Sequence, residues 1–202
     1  MDPNFIAPEK PKKLLSFLNP IFNYVDEGRL FRQPFMILYI AIGFITFCVA
    51  CWMVKKALEF TEAFGGAAYV WFALMIVVLL AAGIFSFLYW LRRAFDVKKY
   101  IPEGAKFQAI PAVSNLVITF GEWLGLTACF VCVCGGILGA IILPFSKYVD
   151  GSEMFIMCLG YAVGSIIVSY LWIVFFRLIG ETIFAIGSIA NDCQQINHNT
   201  RK

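Results

Sequence analysis

The sequence predicts an all-α membrane protein with four transmembrane helices. They form two antiparallel hairpins, with short interfacial helices on the cytoplasmic side. Three observations carry that expectation. Sixty-one percent of the 202 residues are hydrophobic and only 14% are charged, whereas a soluble domain runs nearer half apolar and a quarter charged. Four runs contain no charged residue: Gln33 to Val54, Ala63 to Leu91, Trp123 to Ser146 and Met154 to Phe176. Each is at least 22 residues long, and a helix needs about 20 residues to cross roughly 30 Å of hydrocarbon. The basic residues, finally, sort to one side of those runs.

The first 34 residues hold Pro3, Pro8, Pro11 and Pro20 among many charges, and no small-residue cleavage site follows the first apolar run. That run therefore reads as a true first helix rather than a removable signal. Between Lys12 and Phe35, Leu14, Leu15, Phe17, Leu18, Ile21, Phe22 and Phe31 alternate with charges, the mark of a segment lying on a membrane surface. Residues 1–34 thus form an interfacial N-terminal segment. Residues 35–176 form the membrane domain, with spans at about 35–54, 67–91, 115–143 and 154–176. Residues 177–202 form a helical extension and tail, whose apolar residues Ile179, Ile183, Ile186 and Ala190 recur at helical spacing to about Cys193.

Of 16 Lys and Arg residues, 13 fall in the N-terminal segment, the loop after the second span and the tail. Only Lys55, Lys56 and Lys147 fall on the other side. Basic residues in short loops favour the cytoplasm, so both termini are expected inside. The loop 92–112 interleaves Arg92, Arg93, Lys98, Lys99 and Lys106 with Phe95, Tyr100 and Phe107. That pattern suits anionic membrane lipid, or it is no more than the topology signal. No folded module frames the charges for nucleic acid.

Glu122 is the one acid in its stretch, within Phe-Gly-Glu-Trp-Leu-Gly at 120–125. An ionisable group in a span is costly and normally has a partner. Leu143 to Glu122 and Met154 to Arg177 are both about 32–35 Å of helix, so on neighbouring helices the two charges reach the same depth. Arg177 and Glu181 lie four apart and share a face. Glu122, Arg177 and Glu181 are the candidate ion-pair group, serving either as a structural clasp or as part of a proton or cation pathway. Gly121 and Gly125, Gly135 and Gly139, and Gly160 and Gly164 are small-x-x-x-small pairs, which let helices approach closely.

Two CxxC spacings, Cys48/Cys51 and Cys129/Cys132, allow a redox reading. Four-helix thiol oxidases that use a quinone place one such pair at the outer face. They also need a second cysteine pair, usually in an outer loop, and the outer loops here have none. Cysteine as a small apolar helix residue is the plainer alternative. The single histidine, His198, is four residues from the end, which leaves no bis-histidine haem site and no His-rich metal site. No catalytic triad and no phosphate-cradling glycine loop occur. No cofactor, metal or catalytic residue is assigned.

The stretch Phe-Phe-Arg-Leu-Ile-Gly-Glu-Thr-Ile-Phe-Ala-Ile at 175–186 resembles a pattern in small bacterial membrane proteins of unassigned role. In these the last span ends in Arg-x-x-x-Glu, followed by an apolar helix. The resemblance covers about 20 residues, implies a bacterial inner-membrane protein, and carries over no functional residue. The function expected from the sequence is a non-enzymatic scaffold or accessory subunit of a membrane complex, with lipid, a protein partner or a second copy as its contacts. A small transporter or channel is the alternative, with the quinone-linked thiol oxidoreductase as the second.

Overall fold

The computed structural model describes residues 29–61, 66–100, 109–145 and 151–200. Of the surface segment expected over residues 12–35, residues 12–28 lie outside the described residues, as do residues 101–108 of the expected basic loop; residues 29–35 belong to the first helix, and 92–100 and 109–112 to the two helices that flank the loop. Four long helices make up the structure: α1 (Arg29–Thr61), α2 (Ala67–Tyr100), α3 (Ala109–Ile142) and α4 (Gly151–Thr200). A 3-10 turn, Leu143–Phe145, closes α3. There is no strand among the described residues, and all four helices are long and apolar enough to cross a membrane.

The helices outrun the uncharged runs. α1 begins before Gln33 and carries Pro34 in its second turn, while α2 continues through Arg92 and Arg93 to Tyr100. Charged side chains end an apolar run, but they are good helix formers and do not end a helix. α4 is one unbroken helix of 50 residues, about 75 Å long. Nothing from Arg177 to Thr200 is proline, so the expected extension continues past Cys193. Gly66, just before α2, has a φ of 66°; this left-handed conformation is easy for glycine and rare for other residues.

Neighbouring helices run antiparallel and lie side by side in chain order. α1 packs on α2, α2 on α3, and α3 on α4, the last pairing being the most extensive. Among the described residues, α1 touches α3 only slightly, and α4 touches α3 and the 3-10 turn that closes it but neither α1 nor α2. The arrangement is therefore two hairpins in an open row, not a closed bundle. The end where α1 begins and α4 finishes is called the lower end below, and the opposite end the upper.

The buried core lies toward the lower end. Tyr39, Trp90, Ala94, Val97 and Ala112 form it, and Phe35, Met36, Ile42, Leu116 and Trp123 pack around them. The Tyr39 and Trp90 rings meet edge to face at 5.5 Å, a geometry that adds about 0.5–1.5 kcal/mol to the area buried. Asn115 donates its amide to the Tyr39 hydroxyl at 3.0 Å, which ties α3 to α1. Small residues set the other contacts. A Cβ on Gly121 would stand 2.1 Å from the Phe176 Cβ, and one on Gly125 would stand 2.5 Å from the Ile173 Cγ1. The Ser114 hydroxyl donates to the Gly180 carbonyl at 2.6 Å.

Candidate functional site

The lower half of the α2–α3–α4 row holds one buried acid. Glu122 projects from α3 with its side chain 12% exposed, and three side chains from the flanking helices converge on it. The Arg93 guanidinium of α2 forms an ion pair with Oε2. The Tyr89 hydroxyl donates to the same oxygen at 3.0 Å. From α4, Arg177 donates to Oε1 through Nε at 3.2 Å and Nη2 at 3.1 Å. Arg93 also donates to the Tyr89 hydroxyl at 3.3 Å and lies over the Tyr89 ring, its Cζ 5.4 Å from the centroid.

Helix geometry explains the convergence. Arg93 lies 26 positions after Ala67, and Arg177 lies 26 positions after Gly151. Both therefore stand about 39 Å from the upper end of their helices. Tyr89 is one turn above Arg93 and faces the same way. Gly121, next to Glu122, lets the Phe176 ring and hence Arg177 come close. Aromatic rings wall the cluster: Trp90 against Trp123 at 5.7 Å, and Phe120 against Phe176 at 5.9 Å. These rings help bury the Glu122 carboxylate, and burial strengthens its ion pairs. The indole nitrogens of Trp90 and Trp123 and the Thr119 hydroxyl are buried there without a hydrogen-bond partner among the described residues.

One carboxylate between two guanidiniums satisfies the acid from both sides. All the acceptor capacity that Glu122 can offer is directed at Arg93, Tyr89 and Arg177. The group thus links three helices. In the sequence Arg93 reads only as a basic loop residue, and the Tyr89/Arg93 spacing of four is the sign of its role that the sequence offers. Glu181 does not join the cluster. It is exposed one turn below Arg177, lines a shallow groove with Ser114, Asn115 and Phe184, and makes no ion pair among the described residues.

The glycine pairs divide. Gly121 and Gly125 face α4 directly, while Gly135 faces Met75 of α2 and Gly139 faces Cys158 of α4. Gly160 and Gly164 face open space. Contacts that the pair rule misses include Gly136 against Ala162, Gly180 against Ile118 and Gly187 against Ile110 on the second hairpin, and Gly43 against Trp90 and Gly83 against Ala50 on the first.

Polar groups elsewhere in the spans are satisfied locally. The Thr46 hydroxyl donates to the Gly43 carbonyl, and the Ser165 hydroxyl to that of Ala162. The Ser86 and Thr127 hydroxyls meet at 3.5 Å between α2 and α3. All seven cysteines are free thiols. Cys48 and Cys51 are exposed on α1, and Cys132 lies 3.2 Å from the Tyr161 hydroxyl. Among the described residues, no three His, Cys, Asp or Glu side chains cluster as a metal site. No protein family, curated protein or solved structure matches the chain.

Proposed function

We propose that the chain is a non-enzymatic scaffold or accessory subunit of a bacterial inner-membrane complex, with both termini in the cytoplasm. The observation that carries this reading is a length. The candidate span of α4, Gly151–Ala190, has 40 residues with Glu153, Arg177 and Glu181 among them, about 60 Å of helix, which is twice the hydrocarbon thickness. Tilting to about 40°, the top of the usual range, still leaves roughly 15 Å outside. Wherever the bilayer sits, part of that apolar surface must find another cover.

The basic residues support reading the lower end, where the excess lies, as cytoplasmic. There α3 covers only one side of α4, through Gly180 and Gly187. Leu178, Phe184, Ile186 and Ile189 stay exposed on the rest. Exposed apolar side chains beyond the span suit a docking face. Its cover is a helix of a partner subunit, laid along α4 in the manner of an amphipathic helix in a groove. The transport alternative needs polar groups in series across the span, and the hydroxyls of Thr46 and Ser165 turn back onto their own helices instead.

Photo-crosslinking residues at Ile186 and Ile189 in native membranes test the reading. Both should trap the same protein, which should also stay bound in fixed stoichiometry after gentle solubilisation. A crosslinker at Val77, exposed on α2, should not trap it. Lipid adducts alone at all three positions would overturn the proposal.

A further inference from the structure

A second feature lies in the upper half of the row, remote from Glu122. A cavity of about 400 Å³ opens between α2, α3 and α4, where α4 stands clear of α2. Five of its eleven lining residues carry sulfur: Met75, Cys132, Met154, Met157 and Cys158. The whole chain has seven Cys and six Met in 202 residues. At that frequency eleven positions would carry fewer than one. Sulfur side chains often serve as plain apolar filler in a core, but random filler does not concentrate in this way.

Two of the sulfurs, those of Met75 and Cys158, reach α3 within one helical turn of each other, at Gly135 and Gly139. Met154, Met157 and Cys158 fall at i, i+3 and i+4, on one face of α4. The Cys158 Sγ lies 3.0 Å from where a Gly139 Cβ would be, and the Met75 Sδ 3.3 Å from where a Gly135 Cβ would be. Gly135 and Gly139 are about one turn apart, roughly 6 Å along α3. Missing side chains at these glycines leave room for the sulfurs of α2 and α4 to meet across α3. Methionine, unbranched and flexible, can close the remaining gap.

We infer that this cavity binds a soft monovalent metal ion, Cu(I), through the Cys158 thiolate and the thioethers of Met75 and Met157. Thiolate and thioether ligands select Cu(I) over harder ions. The cavity lining includes no carboxylate and no imidazole, so it offers nothing to magnesium, calcium or manganese. Charge decides between Cu(I) and Zn(II). On binding, the Cys158 thiol releases its proton to water, and one thiolate with one Cu(I) makes a neutral pair. One thiolate with Zn(II) would leave a positive charge inside the hydrocarbon, which is costly. The two thioethers add no charge. Cys132, held by Tyr161 about two turns deeper on α3 than Gly139, lies outside this set.

The test titrates the full-length protein in lipid nanodiscs with Cu(I), without oxygen, against a competing Cu(I) chelator. Thermal unfolding is followed in parallel. The expected result is one Cu(I) held per chain and a higher melting temperature. Cys158→Ala should abolish retention. Met75→Leu with Met157→Leu, which keeps the volume and removes the thioethers, should weaken binding at least tenfold. Cys129→Ala with Cys134→Ala, outside the cavity, should change nothing. Should Cys158→Ala fail to fold, the methionine pair decides alone. No retained Cu(I), unaltered binding in the methionine variant, or loss in the Cys129/Cys134 control would each overturn the inference.

Discussion

At Glu122 one carboxylate answers two guanidiniums and a phenol, and the partners differ in their access to water. The Arg93 side chain is 23% exposed, that of Arg177 61%. Removing a partner from a buried pair is expensive, and water or lipid headgroups around an exposed partner reduce the loss. Arg93→Met should therefore cost about 2 kcal/mol and Arg177→Met about 1 kcal/mol, read as thermal unfolding in nanodiscs. Glu122→Gln removes the carboxylate that both guanidiniums share and should cost more than Arg177→Met. Glu122→Gln with Arg177→Met should lose less than the sum of the two. Strict additivity would mean that the two residues are not coupled. The Glu122–Arg177 approach was legible in the sequence because depth along neighbouring helices is simple counting. Arg93 was not, because the apolar run stops at Leu91 and the helix does not. A second expectation at this scale concerns Cys48 and Cys51, exposed on α1. Replacing both by alanine should leave thiol oxidation in isolated membranes unchanged. A quinone-coupled activity lost in that variant would restore the redox reading.

At the scale of the element, glycine has two unlike uses in the same hairpin. Gly121 is a contact point, where the Phe176 Cβ would stand 2.1 Å from an added methyl group. Gly121→Ala must push α4 away and should destabilise the protein by about 1–3 kcal/mol, as overpacking generally does. Gly160 and Gly164 meet nothing within 4 Å. Gly160→Ala with Gly164→Ala should be neutral or raise stability by up to about 1 kcal/mol per site, the helix-propensity difference. Denaturation in mixed detergent compares the two variants directly, and the opposite ranking would mean that α3 and α4 pack on other faces. The spacing of four occurs in all three pairs, so the sequence could not separate contact from open surface. What separates them is which face of α4 turns to α3, and in a span both faces are apolar. The same ambiguity hid Gly180 and Gly187, which lie below the expected end of the span and yet pack on Ile118 and Ile110.

For the whole molecule, the existence of four spans and their pairing into hairpins follow from apolar length and short upper loops. The open row does not, because lipid and a neighbouring helix select the same residue types. Orientation rests on a different physical signal, the resistance of basic loops to translocation, and it decides on which side the excess length of α4 emerges. The structure supplies suitable reporters at both ends. Glu59 lies near the upper end of α1, half-exposed and paired with Lys56 at 2.7 Å. Cys193 lies near the lower end of α4 and is exposed. In a background whose other six cysteines are replaced, a membrane-impermeant maleimide should label Glu59→Cys in intact cells stripped of their outer envelope. The native Cys193 should react only after permeabilisation. Lys99→Cys, on the lower end of α2 with a side chain 76% exposed, should behave like Cys193. The reverse pattern would put the basic end outside and move the exposed face of α4 away from any cytoplasmic partner. Labelling of both ends from outside would mean that the lower end is not enclosed by the membrane at all.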